Sequence, residues 1–133
     1  MQLTEIAAVI GLSLGALMGL GAMISPRWAS GVVRLVADPA KPGGYSEFRG
    51  TYGGLFFMVH AVALAIVLAT PPTASALATL PVAAGWLGAA LGRALSLLLD
   101  REQVAGARII PIWMATEVAL GLAIGAPVLH LLG

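Results

Sequence analysis

The chain has 133 residues, of which 59% are hydrophobic and 10% are charged, and its formal net charge is +1. Soluble domains have roughly 45 to 50% apolar and about 25% charged residues, so this composition excludes an ordinary water-soluble fold. The small net charge and the scattered basic residues exclude nucleic acid as a partner. Because there is no cysteine, disulfides, thiolate catalysis and Cys-ligated metals are excluded as well.

Four apolar stretches are long enough to cross a membrane as helices. A crossing needs about 20 residues, because the hydrocarbon layer is about 30 Å thick and a helix rises 1.5 Å per residue. The predicted spans cover residues 3–24, 52–70, 77–99 and 109–132. The first begins with no basic residue, so we predict a retained helix instead of a signal peptide. The predicted fold is all-α, a single integral-membrane four-helix bundle over residues 1–133.

The connection from Ser25 to Arg49 is predicted to contain a short amphipathic helix at the membrane surface. Ser25 suits the N-cap of such a helix and Pro26 suits its first position. An apolar stripe follows at helical spacing: Trp28, Val32, Leu35 and Val36. The alternative is an irregular loop that meets the bilayer by chance.

The basic residues predict the orientation of the spans. The first connection contains Arg27, Arg34, Lys41 and Arg49, and the third contains Arg101 and Arg108, whereas residues 71–76 have no charge. Short loops rich in Lys and Arg stay in the cytoplasm. We therefore predict that the first and third connections face inward and that both termini lie outside.

Three spans have small residues at four-residue spacing. In lipid, helices associate where small residues let their backbones approach closely, so these faces predict tight helix packing. Some such runs also arise by chance among 17 glycines. The pattern leaves open whether one face serves a homodimer or a larger membrane complex. The residues are Ala7, Gly11, Gly15 and Gly19; Ala84, Gly88, Gly92 and Ser96; and Gly121 and Gly125.

Three ionisable residues fall at similar membrane depth: His60, Arg93 and Glu117. Such residues are costly in lipid and are functional candidates. Arg93 and Glu117 lie on helices that run in opposite directions, and their Cβ atoms tilt toward each other, so we predict a buried ion pair. His60 shares one face of its helix with Phe56, Tyr52 and Arg49. Glu47 lies at the end of that face, next to the inner connection. The structural alternatives are a snorkelling Arg93, a protonated Glu117 and a neutral core His60.

Two runs of residues point to a known family. The segment 47–54 reads Glu-Phe-Arg-Gly-Thr-Tyr-Gly-Gly, and residues 92–96 read Gly-Arg-Ala-Leu-Ser. Together with Glu117, they resemble a family of small bacterial four-helix membrane proteins, the domain of unknown function 4345. The resemblance implies a multi-pass protein of the bacterial inner (plasma) membrane, and no activity, cofactor or substrate. The residues that it makes prominent are Glu47, Arg49, Arg93, Asp100 and Glu117.

Two functional hypotheses follow. The first is a non-enzymatic accessory or binding module whose partners are membrane lipids and whose helices are joined by Arg93 and Glu117. The alternative is a carrier or membrane enzyme for a small or lipid-like ligand, with an inward-facing polar cavity lined by Arg49, Tyr52, His60, Arg93 and Glu117. No cofactor and no metal site are predicted, because the two histidines fall at opposite depths. No serine or threonine has the neighbours that a hydrolytic nucleophile needs.

Overall fold

The protein is all-helical in its computed structural model, which describes residues 1–132 and has no strand among them. Four helices are long and apolar enough to cross a membrane, which indicates a multi-pass membrane protein. The six helices are α1 (Leu3–Ile24), α2 (Pro26–Val33), α3 (Gly44–Ala69), α4 (Pro72–Leu99), α5 (Arg101–Val104) and α6 (Ile109–Gly125), and tighter 3-10 turns at Ala126–Leu131 follow α6. The all-α prediction is confirmed, and so is the prediction of four helices long and apolar enough to span a membrane.

The short helix α2 exists, but it ends earlier than the apolar stripe predicted. Arg34 adopts a left-handed conformation with φ of 59°, which ends the helix at Val33 and leaves Leu35 and Val36 beyond it. The Leu35 amide then donates to the Ser30 carbonyl at 3.2 Å, as at many helix C-termini. Ser25 occupies the N-cap position without a side-chain capping hydrogen bond.

Helix α3 begins at Gly44, eight residues before the predicted start at Tyr52. Glu47 and Arg49 therefore lie on the helix and not in the preceding connection. The preceding residue, Gly43, has φ of 99°, a conformation that glycine adopts without strain. Residues Phe48–Leu55 are π-helical. Because a π-helix turns with i→i+5 hydrogen bonds, the predicted i+3/i+4 alignment of Arg49, Tyr52 and His60 does not apply there.

Helix α4 also begins earlier than predicted, at Pro72 instead of Leu77. Proline is favoured in the first turn of a helix, where its missing N–H costs nothing. The connection between α3 and α4 is therefore only Thr70 and Pro71. A further proline, Pro81, lies inside α4, as membrane helices tolerate.

Contacts divide the chain into two compact units. The first unit comprises residues 1–11 and 66–132, and its main contact is between α4 and α6 with the turns that follow α6. A Cβ at Gly121 would lie 2.7 Å from Leu87 Cγ, and one at Gly125 would lie 3.2 Å from Ala83 Cβ. The small residues of α6 therefore serve a close helix contact, as predicted.

The second unit comprises Leu12–Ala65. Phe48 packs there with Ala22 of α1 and Ala29 of α2 in a small apolar core. The backbone of α1 comes close to α3, because a Cβ at Gly19 would lie 2.7 Å from Phe57 Cα. The chain's assignment to one four-helix domain stays a prediction.

The small residues of α4 do not form the contact that their spacing predicts. Apart from the adjacent residues and the local backbone of α4, no atom of the described chain lies within 4 Å of a Cβ added at Gly88 or Gly92. The buried side of α4 is a different one, formed by Val82, Ala83, Trp86 and Ala90. Regular spacing alone therefore did not distinguish the packed face of this helix from its exposed face.

Candidate functional site

Arg93 of α4 and Glu117 of α6 form an ion pair within the first unit. Arg93 Nε donates to Glu117 Oε1 at 2.8 Å, so the two predicted partners do meet. The Glu117 side chain is 5% exposed, whereas that of Arg93 is 40% exposed. The predicted ion pair is therefore present, with its carboxylate buried and its guanidinium partly exposed.

The second carboxylate oxygen of Glu117 has no partner in the described chain. Glu117 Oε2 is buried and makes no hydrogen bond. Arg93 uses only Nε, although a guanidinium can bind a carboxylate through two parallel hydrogen bonds. Oε2 can therefore accept one more hydrogen bond, either from the same guanidinium after a small rotation or from a bound donor.

His60 lies in the second unit, on α3. Its side chain is buried, and Nδ1 donates to the Phe56 carbonyl oxygen at 2.7 Å. The Phe56 and His60 rings are 4.4 Å apart between centroids. The ring also lies directly against Gly15 of α1, where a Cβ would collide with it. These contacts favour the structural interpretation of His60 as a hydrogen-bonded core residue.

Arg49 joins α3 to the end of α1. Its guanidinium donates to the carbonyl oxygen of Met23 in the last turn of α1. Carbonyls at a helix C-terminus lack intrahelical partners and form the negative end of the helix dipole, so a cation is favourable there. Gly53 lies against the same Met23 backbone, since a Cβ there would be 3.0 Å from Met23 N. Arg49 thus stabilises the contact between α1 and α3.

Glu47 and Tyr52 line a cavity of about 640 Å³ in the second unit. We call this cavity the α3 groove; its lining residues are Leu35, Val36, Ala37, Asp38, Lys41, Pro42, Gly43, Gly44, Ser46, Glu47, Phe48 and Tyr52. The Tyr52 ring stacks on Phe48 with 5.5 Å between centroids. The groove is open, and it combines apolar side chains with both signs of charge.

Asp100 ends α4 and accepts a hydrogen bond from Ser96 Oγ at 2.8 Å. Its backbone carbonyl also accepts from the Gln103 amide at 3.0 Å, which starts α5. Asp100 is exposed. Asp100 is thus the residue at which α4 ends and α5 begins, and its side chain makes no capping hydrogen bond.

One polar pair escaped the sequence analysis. Thr4 Oγ1 and His130 Nε2 are 2.9 Å apart in the first unit, between the start of α1 and the last turns of the described chain. No spacing within a helix signals this contact, because the two residues are 126 positions apart in the chain.

No group of three His, Cys, Asp or Glu side chains within residues 1–132 is arranged to hold a metal ion. No known protein family, curated protein or solved structure matches the chain. The resemblance to the domain of unknown function 4345 stays a prediction. The fold indicates the class of the protein, a multi-pass helical membrane protein with a polar contact between α4 and α6.

Proposed function

We propose that this chain is a non-enzymatic accessory or binding module of the bacterial inner membrane, in which Arg93 and Glu117 hold α4 against α6. The observation that supports this most directly is the 2.8 Å contact between Arg93 Nε and Glu117 Oε1. Membership of the family that the sequence resembles is part of the same proposal, on the strength of the segments at 47–54 and 92–96.

Helices α4 and α6 are joined by the two kinds of contact that hold helices together in lipid. Apolar side chains gain little by leaving lipid for each other, so packing of small residues and polar contacts decide helix association. The α4–α6 contact has both, since Gly121 and Gly125 allow close approach and the ion pair adds a directional bond. A carboxylate that is already bound by its own arginine, and 5% exposed, is poorly placed to exchange a ligand.

A carrier would behave differently from such a module in a flux measurement. We expect vesicles reconstituted with the protein and loaded with a pH-sensitive dye to acidify at the rate of protein-free vesicles after an external acid pulse. An added uncoupler supplies the positive control. Faster acidification with the wild-type protein, abolished by Glu117→Gln in a variant that still folds, would contradict the module and support the carrier.

The proposed orientation places both chain ends outside. We expect a reporter that is active only in the periplasm to report at either terminus, because Arg and Lys in the first and third connections oppose translocation. A reporter fused after Arg101 is the internal control and should report the cytoplasm. A cytoplasmic signal from either terminus would overturn the orientation.

A further inference from the structure

The α3 groove lies at one end of a helix that is longer than a membrane crossing requires. Helix α3 has 26 residues and is therefore about 39 Å long, against about 30 Å of hydrocarbon. Residues 50–69 contain no Asp, Glu, Lys or Arg, and these 20 residues alone span about 30 Å. With residues 50–69 crossing the hydrocarbon layer, the remaining turns, Gly44–Arg49, extend to the depth of the lipid headgroups.

The lining of the groove has an apolar part and a charged part, as a phospholipid does. Val36 is 87% exposed and Leu35 is 53% exposed, which is unfavourable in water and favourable beside lipid. The stacked Phe48 and Tyr52 rings extend this apolar part. The charged part consists of Asp38, Lys41 and Glu47.

The charged side chains of the groove differ in what they already bind. Asp38 Oδ1 accepts from the Ala40 amide at 2.9 Å, and Oδ2 lies 3.9 Å from Lys41 Nζ. The Lys41 side chain is nevertheless 86% exposed, so its ammonium group is open to a further partner. The Glu47 side chain makes no hydrogen bond or ion pair with the rest of the described chain. The groove thus offers one uncommitted carboxylate and one accessible ammonium group.

We propose that the α3 groove binds the headgroup of a zwitterionic, amine-bearing phospholipid. The lipid ammonium group is bound by Glu47, with the Tyr52 ring as a neighbouring cation–π surface, and the lipid phosphate is bound by Lys41. Leu35 and Val36 contact the part of the acyl chains nearest the headgroup. With two carboxylates and one ammonium group in its lining, the groove disfavours a headgroup that has only negative charge.

The inference rests on the membrane setting of the proposed function but not on the Arg93–Glu117 pair. The groove belongs to the second unit and the ion pair to the first. Glu47 variants therefore test the lipid site, whereas Glu117 and Arg93 variants test the helix contact. The two proposals can therefore fail separately: lipid binding tests the first-named site, and the stability of the Glu117 and Arg93 variants tests the helix contact.

The test is native mass spectrometry of the purified protein in detergent with added phosphatidylethanolamine or phosphatidylglycerol. We expect the wild type to bind phosphatidylethanolamine about tenfold more tightly, the ratio that about 1.4 kcal/mol of differential contact produces. Glu47→Gln should remove that preference. Glu102→Gln is the matched control, since Glu102 is also an exposed carboxylate near the start of a helix, in the other unit. Equal affinity for the two lipids, or equal losses in both variants, would overturn the proposal.

A second measurement on the wild-type protein needs no folded variant. N-acetylated phosphatidylethanolamine keeps the phosphate and the chains but lacks the ammonium group, and we expect its affinity to fall about tenfold. Unchanged affinity would show that Glu47 does not bind the lipid ammonium group. Soluble phosphoethanolamine should not displace the lipid at equal concentration, because it lacks the acyl contacts with Leu35 and Val36. Displacement at equal concentration would overturn the assignment to a lipid.

Discussion

Replacing Arg93 with glutamine is expected to lower the free energy of unfolding by about 3 to 5 kcal/mol, the range measured when one partner of a buried ion pair is removed. The physical reason is that Glu117 is 5% exposed and would be left charged without its donor. Its Oε2 atom already lacks a partner, so the carboxylate would then have no hydrogen bond to a side chain of the described protein.

The reverse substitution, Glu117→Gln, is expected to cost less than Arg93→Gln. Arg93 is 40% exposed, and a long cationic side chain can reach toward the membrane surface when its partner is lost. This asymmetry separates the observed half-buried pair from a fully buried one, for which both losses would be large.

The measurement is a double-mutant cycle on the unfolding free energy in mixed micelles, with the double variant Arg93→Gln/Glu117→Gln completing it. We expect the double variant to be more stable than the sum of the single losses predicts, because no charge is then stranded. Arg101→Gln, an exposed arginine beyond the end of α4, controls for loss of a positive charge. Additive losses would show that the two groups do not stabilise each other.

Adding a single methyl group at Gly19 is expected to destabilise the second unit by about 1 to 3 kcal/mol, the usual cost of overpacking. A Cβ at this position would lie 2.7 Å from Phe57 Cα and would also collide with the Phe57 amide nitrogen. Because these are backbone atoms, α1 and α3 would have to move apart. At Gly15 the obstacle is the His60 ring, a side chain, so the same change there displaces a ring instead of a helix.

Gly88→Ala is the matched control for Gly19→Ala. Both replace a glycine within a long apolar helix, but at Gly88 the added Cβ has no described atom within 4 Å apart from the adjacent residues and the local helix backbone. We expect Gly88→Ala to leave the unfolding free energy unchanged or to raise it by up to roughly 1 kcal/mol, since alanine favours a helix over glycine. Equal losses at both positions would mean that α1 and α3 do not approach as closely as described.

Several parts of the candidate site were predictable because they depend on spacing within regular helices. Arg93 and Glu117 could be paired from their depths and from the opposed directions of their helices, and the small face of α6 could be recognised from Gly121 and Gly125. Glu47 and Tyr52 were also singled out, and both line the α3 groove. The spacing could not show that Arg49 binds the Met23 carbonyl, because that contact joins segments 26 residues apart.

Helix boundaries were the least predictable feature, and the reason is local backbone geometry. The end of α2 depends on Arg34 adopting a left-handed conformation, which an arginine seldom does and which no pattern of apolar residues signals. The early start of α3 depends on Gly43, and the π-helical turns over Phe48–Leu55 rotate the residues that follow. These π-helical turns interrupt the predicted spacing between Arg49 and Tyr52, whereas Phe56 and His60, one turn apart on regular α-helix, lie against each other.

Composition and residue order by themselves determined that this protein is all-helical, that four segments are long and apolar enough to cross a membrane, and that Arg93 and Glu117 lie within reach of each other. These properties follow from chain length, hydrophobicity and helix periodicity, which are local. Only the tertiary structure decided which small residues are packed and which are exposed, that Arg93 is half-buried, and that the connection before α3 forms a groove beside Glu47. Those outcomes depend on how distant segments meet, because burial and partner choice belong to the packed chain and not to any one helix.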